Sequence, residues 1–276
     1  MDETSKARGG VCIDPFFLDS PRGPLFCIAL APADSPPLGG ILYLHPFPEE
    51  MNKSRRMAAL QTRAFARDGY LVLQIDLTGC GDSAGDFGEA NWDAWKDDVR
   101  LGHAWLSERA HPVTFWGLRL GAGLAAEMAR ELPGIDHLIL WQPVGSGELF
   151  LNQFLRIKLA GEMLSVGQAQ SNTKLLRNRL EAGESVEVGG YRLSPIMARD
   201  LVAWKLAEHT PNRPIHWLEV NAGGEIPPAS QRIIDHWSQN GASITAQALV
   251  GEPFWLTQEI AECPALLDAT LNGFMR

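Results

Sequence analysis

The sequence predicts an α/β protein built on a mostly parallel sheet. Short apolar runs of strand length, bounded by Pro and Gly, recur along the chain, and stretches with apolar residues at helical spacing separate them. The length of 276 residues, 45% of them hydrophobic and 21% charged, is that of a globular chain with a sizeable core, in one large domain or two small ones.

In order, the runs Cys12 to Leu18 and Leu25 to Ala31 flank Ser20-Pro21-Arg22-Gly23 and predict an antiparallel hairpin. Ile41 to His45 predicts a buried strand that ends in His45-Pro46-Phe47-Pro48. A helix over 54–68 follows, with Met57, Leu60, Ala64 and Phe65 on one face. Tyr70 to Asp76 predicts a strand, Trp92 to Glu108 a helix, and Pro112 to Trp116 a strand that turns at Gly117 into a helix over 122–132. Ile135 to Trp141 is the next strand. Residues 147–208 show no strand-like alternation, and 149–164 and 197–206 look helical, so this span is expected to be a helical cap inserted into a core of 1–146 and 209–276. Strands at Pro214 to Val220 and Ser243 to Val250 and helices at Ser230 to Gln239 and Leu266 to Phe274 complete the chain.

Lys and Arg total 24 against 33 Asp and Glu, a formal net charge of −9, so the chain has no electrostatic reason to bind nucleic acid or anionic lipid. Residues 1–10 lack the apolar stretch of a signal peptide, and no run approaches the roughly 18 apolar residues of a membrane helix, which predicts a cytoplasmic protein without membrane insertion. Four scattered cysteines without CxxC spacing suit a reduced compartment and predict no metal site. No cofactor fingerprint is present: Gly117 to Gly123 lacks GxGxxG spacing, and no GKS or GKT follows Gly79 and Gly81.

The strand to Trp116, the string Gly117-Leu118-Arg119-Leu120-Gly121 and the small residues Ala122-Gly123 have the layout of a nucleophile elbow, strand then G-x-S-x-G then helix. Its central residue is arginine, not serine. With His45-Pro46-Phe47-Pro48, and with Asp76 to Ser83, similar to a D-x-R-G-x-G-x-S loop, this elbow makes the chain resemble the α/β-hydrolase superfamily over nearly its whole length. More specifically, it resembles the type 2 hydrolase-like proteins associated with the exosortase A system, which share the Trp116-Gly117-Leu118-Arg119-Leu120-Gly121 pattern of an elbow without serine. The resemblance implies an eight-stranded, mostly parallel sheet with helices on both faces. It also implies an oxyanion-type pair of amides at Phe47 and Leu120, an acid position at Glu225 and a base position in the loop at Glu252. That loop holds no histidine, and all seven histidines precede the last strand.

Arginine neither attacks a carbonyl nor accepts a proton, so serine-type hydrolysis is not expected. If Arg119, Glu225 and Glu252 converge, one cation meets two carboxylates, either as a buried salt-bridge network or as an anchor for a small anionic or acyl ligand. The resemblance leaves open an active esterase, thioesterase or acyltransferase using an atypical site, and a homodimer or a pathway protein as partner. His45 reads as a residue that bonds nearby backbone, with catalysis as the alternative. Glu49 and Glu50 read as solvated loop residues. Asp76, Gly79, Gly81 and Ser83 read as shaping a tight loop, Cys80 as structural, Trp92, Trp95 and Trp105 as packing, and Trp255 as a wall of the site.

Overall fold

The structure, a computed structural model, describes residues 10–166 and 171–274. The expectation about a leader in residues 1–9 lies outside them.

One eight-stranded sheet carries the fold, in the order β1-β2-β4-β3-β5-β6-β9-β10. The strands β1 (Val11–Leu18) and β2 (Leu25–Pro32) form the expected antiparallel hairpin around Gly23, whose φ of 109 suits glycine. β2 also runs antiparallel to β4 (Leu71–Ile75). From there β3 (Gly40–Leu44), β5 (Val113–Leu118), β6 (Ile135–Trp141), β9 (Ile215–Asn221) and β10 (Ile244–Val250) are all parallel. Such strands are buried on both faces, which is why β3 and β5 read as continuous apolar runs.

On one face lie α1 (Pro48–Arg67) and α8 (Pro264–Phe274), which pack Met57, Ala58, Phe65 and Leu266 against Trp116, Trp141 and Leu218. On the other lie α2 (Trp92–Ser107), α3 (Leu120–Glu131) and α7 (Pro228–Gln239), with a core running from Leu42 and Phe115 to Trp237. Helix α1 starts six residues before the expected Ser54, because Pro48 suits the first helical position and Glu49 and Glu50 sit in its first turn.

Between β6 and β9 lie α4 (Gly147–Val166), α5 (Thr173–Glu181), a hairpin of β7 (Val186–Val188) and β8 (Tyr191–Leu193), and α6 (Pro195–Ala203). The insertion is therefore not purely helical. Three-residue strands are too short for alternation to register, and the hairpin turns on Gly189 and Gly190, both at positive φ. Leu151, Phe154, Leu155, Leu176 and Leu201 of this insertion share the core cluster that holds Phe47 and Trp95. Among the described residues no helix is long and apolar enough to cross a membrane.

Candidate functional site

The chain turns sharply at the C-terminal end of β5. Arg119 lies at φ 58 and ψ −119, a region that non-glycine residues rarely occupy. Two glycines permit the turn: a methyl at Gly117 would overlap the backbone of Gly121 and Ala122, and one at Gly121 would overlap the carbonyls of Leu44 and His45. The start of α3, with the Leu120 amide as its first N–H, is thus pressed against the end of β3 and the loop that carries Phe47. This is elbow geometry, with a guanidinium in the raised position.

That guanidinium does not meet Glu225 or Glu252. Its Nε donates to Oε1 of Glu50 at 2.9 Å, and its Cζ stands 5.5 Å from the centroid of the Trp255 ring, within cation–π range. The Arg119 side chain is 14% exposed and that of Glu50 only 3%. The expected network of Arg119 with Glu225 and Glu252 is therefore corrected to a pair with Glu50, and the expectation of a solvated Glu50 is corrected with it.

The reasons are local. Asn221 Oδ1 accepts the amides of Gly223 and Gly224, and its Nδ2 donates to the Glu225 carbonyl, so the loop closes on itself and leaves Glu225 exposed. After β10, Phe254 and Trp255 turn inward and Glu252 stays in solvent. Glu50 occupies the buried stripe of α1 with Ser54, Met57, Ala58, Gln61 and Phe65, which lie four, seven, eight, eleven and fifteen residues after it, as a helical period dictates. Reading the helix from Pro48 would have found it.

Burial pushes the Glu50 carboxyl above its ordinary range even though Arg119 pulls the other way, and its Oε2 has no hydrogen-bond partner among the described residues. Both Nη groups of Arg119 likewise lack a protein partner among the described residues. A second buried carboxylate that the sequence reading missed is Glu219 on β9, which accepts the Trp217 indole N–H at 2.9 Å. Burial raises its carboxyl too, against the opposing pull of Ser230, Trp217 and Arg119. Nothing in the alternation of β9 marks it, since a strand buried on both faces shows no polar side.

His45 is buried and bonded to backbone at both ring nitrogens. Nδ1 lies 2.6 Å from the Pro46 carbonyl and Nε2 accepts the Leu77 amide at 3.1 Å. That pattern requires the neutral Nδ1–H tautomer and leaves no nitrogen to act as a base. Burial lowers its pKa, against the pull of Asp76 and of the Pro46 bond. Phe47 is fully buried, its ring edge-on to Phe87, Trp95, Phe150 and Phe154, so aromatic side chains of the core and of α4 fill the space beside the elbow. Asp76 shapes its loop as expected, with Oδ2 accepting from Arg55 and from the Asp82 amide, both at 3.1 Å. The Cys80 thiol is buried, and burial pushes it far from thiolate, with Asp76 and Asp98 adding to the effect. Among the described residues no group of three His, Cys, Asp or Glu is arranged to hold a metal ion.

Two cavities lie in the insertion rather than at the elbow. One, of about 590 Å³, runs between α4 and α5 past Arg156, Lys174 and Arg177, and one, of about 390 Å³, is lined by Leu151, Leu180, Ile196 and Val202.

Comparison with solved structures decides the fold. Est1E from Butyrivibrio proteoclasticus, with ferulic acid bound, superimposes with a TM-score of 0.68 at 15% identity, over 94% of this chain and 98% of that one. The chain has the α/β-hydrolase fold. A thermostable carboxyl esterase from Bacillus coagulans (TM-score 0.62, 15% identity, 96% and 97% covered) and mouse α/β-hydrolase domain-containing protein 10 (0.61, 17%, 95% and 98%) share it. In sequence, human protein ABHD12B is 30% identical over 109 residues, which is 37% of this chain and 29% of that protein, so the match spans under a third of that relative. No protein-family model matches the chain.

Proposed function

We propose that this α/β-hydrolase-fold protein does no serine-type ester chemistry and instead binds a small anionic or acyl ligand at Arg119, with the insertion 147–208 as its cap. The observation that carries the reading is the way Arg119 is held. Glu50 engages only Nε and fixes the side chain on the raised elbow, while both Nη groups keep their donors for another acceptor. The Leu120 amide adds a donor at the positive end of α3. With no hydroxyl at position 119 and both nitrogens of His45 engaged by backbone, nucleophile and base are missing together.

A bound carboxylate would take the Nη fork in two parallel hydrogen bonds, which arginine offers and lysine does not. The ferulic acid held by Est1E, a protein of the same fold, supports a carboxylic acid as the ligand class. The elbow string Trp116 to Gly121 resembles that of the exosortase-associated proteins, and a cytoplasmic role in such a surface pathway is the setting we assign to it.

Short- and medium-chain aryl esters and thioesters test the negative half. Wild type and Arg119→Ala should both run at the buffer rate, whereas turnover that Arg119→Ala abolishes would establish an active enzyme with an atypical site. Thermal shifts with butyrate, hexanoate and ferulate test the positive half. The shift should vanish in Arg119→Ala and shrink in Arg119→Lys.

A further inference from the structure

Among the described residues Glu50 Oε2 is a buried carboxylate oxygen with no partner, directly beside Arg119, whose Nη donors are unused. Such an oxygen is costly when left unpaired, and native structures rarely leave one without reason. Oε1 is taken by Arg119, and the Phe47 ring beside the elbow is packed among Phe87, Phe150 and Phe154, which have no side-chain donor, and Trp95, whose indole N–H donates to the Thr78 carbonyl at 3.1 Å. The donor that Oε2 lacks must come from outside this set.

The first turn of α1 is covered. The β7–β8 hairpin lies over it, with Gly189 against Glu49 and the Tyr191 hydroxyl accepting from Asn52 Nδ2 at 3.4 Å. The hairpin is tied to the core by Arg192 and Asp86, 3.0 Å apart and more than half exposed, and by Tyr191 against Phe87. That pair, open to water, contributes little, but Val186, Val188 and Leu193 are buried in the core, so the hairpin is a fixed wall of the site.

Building on the anion reading of Arg119, we infer that the Arg119–Glu50 pair is a donor–acceptor fork selecting carboxylates that carry a hydrogen-bond donor on the adjacent carbon. The carboxylate of a 2-hydroxy acid would take the Nη donors of Arg119 while its hydroxyl donates to Glu50 Oε2. A 2-amino acid offers the same pattern through its ammonium. A plain carboxylate satisfies the arginine and leaves Oε2 as it is.

Calorimetric titration of the full chain with hexanoate, 2-hydroxyhexanoate, 2-methoxyhexanoate and 2-aminohexanoate separates these cases. The hydroxy acid should bind about tenfold tighter than hexanoate, the worth of one added hydrogen bond to a charged group, and the methoxy acid no tighter than hexanoate. The amino acid, compared with the hydroxy acid, tells which donor is preferred. In Glu50→Gln, which keeps an acceptor for Arg119 Nε but presents an amide donor in place of Oε2, the preference should fall to within about twofold. If Glu50→Gln does not fold, the hydroxy and methoxy acids on wild type decide the matter. Equal binding of hexanoate and the hydroxy acid, lost in Arg119→Ala, would overturn the fork and leave the anion site standing. No binding of any of the four acids would overturn both.

Discussion

The backbone of Arg119 occupies a region that costs a non-glycine residue about 1–3 kcal/mol, and beneath it Glu50 is a buried carboxylate that pairs with Arg119 and whose second oxygen has no partner among the described residues. Removing one partner should therefore hurt more than removing both. Arg119→Ala is expected to lose about 2–4 kcal/mol of stability to urea, since it strands a buried charge, and the double variant Arg119→Met, Glu50→Leu should regain most of that loss. Equal losses in the single and double variants would mean that the pair is not what holds the elbow. Asp98 on α2 gives a second test. Its Oδ2 accepts the Thr78 amide at 2.7 Å, Oδ1 has no partner among the described residues, and burial pushes the carboxyl up to about 6. With a folded value above the ordinary 3.8, the folded protein holds this proton more tightly than the unfolded chain. Its stabilising contribution is complete below pH 3.8 and is lost as pH rises through about 6. Stability of wild type relative to Asp98→Asn should fall over that window in urea titrations, and parallel curves would refute it.

Helix α8 closes the sheet face shared with α1 through close contact rather than charge. Gly273 lies on the His216 ring of β9, where a methyl would overlap the imidazole, and Trp141 Nε1 donates to Thr270 Oγ1 at 2.9 Å. Gly273→Ala should cost about 1–3 kcal/mol by overpacking, read as a lower midpoint in urea. Burial lowers the His216 pKa from 6.5 to about 4, with neighbouring His137 adding to the effect. The stability this neutral ring supplies is present above pH 6.5 and is lost as pH falls towards about 4, so α8 should lose amide-exchange protection first on acidification. Protection of α8 that holds as well at pH 5 as at pH 7, after correction for intrinsic rates, would sink this. Most elements are legible in the sequence to within a few residues because apolar period and Pro or Gly punctuation agree, as at Ile135–Trp141. The failures are as instructive. Starting α1 at Ser54 placed Glu50 in a loop, although Pro48 and two acids were the signal of a helix start, and the β7–β8 strands are too short to show a period at all.

At the scale of the whole molecule, the insertion and the sheet share one core, joined at Glu127 of α3. Its Oε2 accepts the indoles of Trp92 at 2.9 Å and Trp204 at 3.0 Å, and Lys96 Nζ meets Oε1 at 3.0 Å. Burial pushes this carboxyl up, but Trp92, Lys96 and the charge of His209 outweigh it and hold the group below the usual range. Since Trp204 follows α6 and Trp92 opens α2, Glu127→Ala should cost about 2–4 kcal/mol, and Glu127→Gln less. Unfolding of the wild type should be one transition, with tryptophan fluorescence and far-ultraviolet circular dichroism coinciding; two separated transitions would show that the insertion melts alone. The residues alone were enough for the α/β-hydrolase fold, the elbow and the absence of a serine and of a late histidine, because these depend on local period, on glycines at sharp turns and on residue identity. They were not enough for the partner of Arg119. Any of several acids could have met it, and the choice of Glu50 over Glu225 and Glu252 follows from which carboxylate the packing of α1 buries and which two the loops after β9 and β10 leave in water.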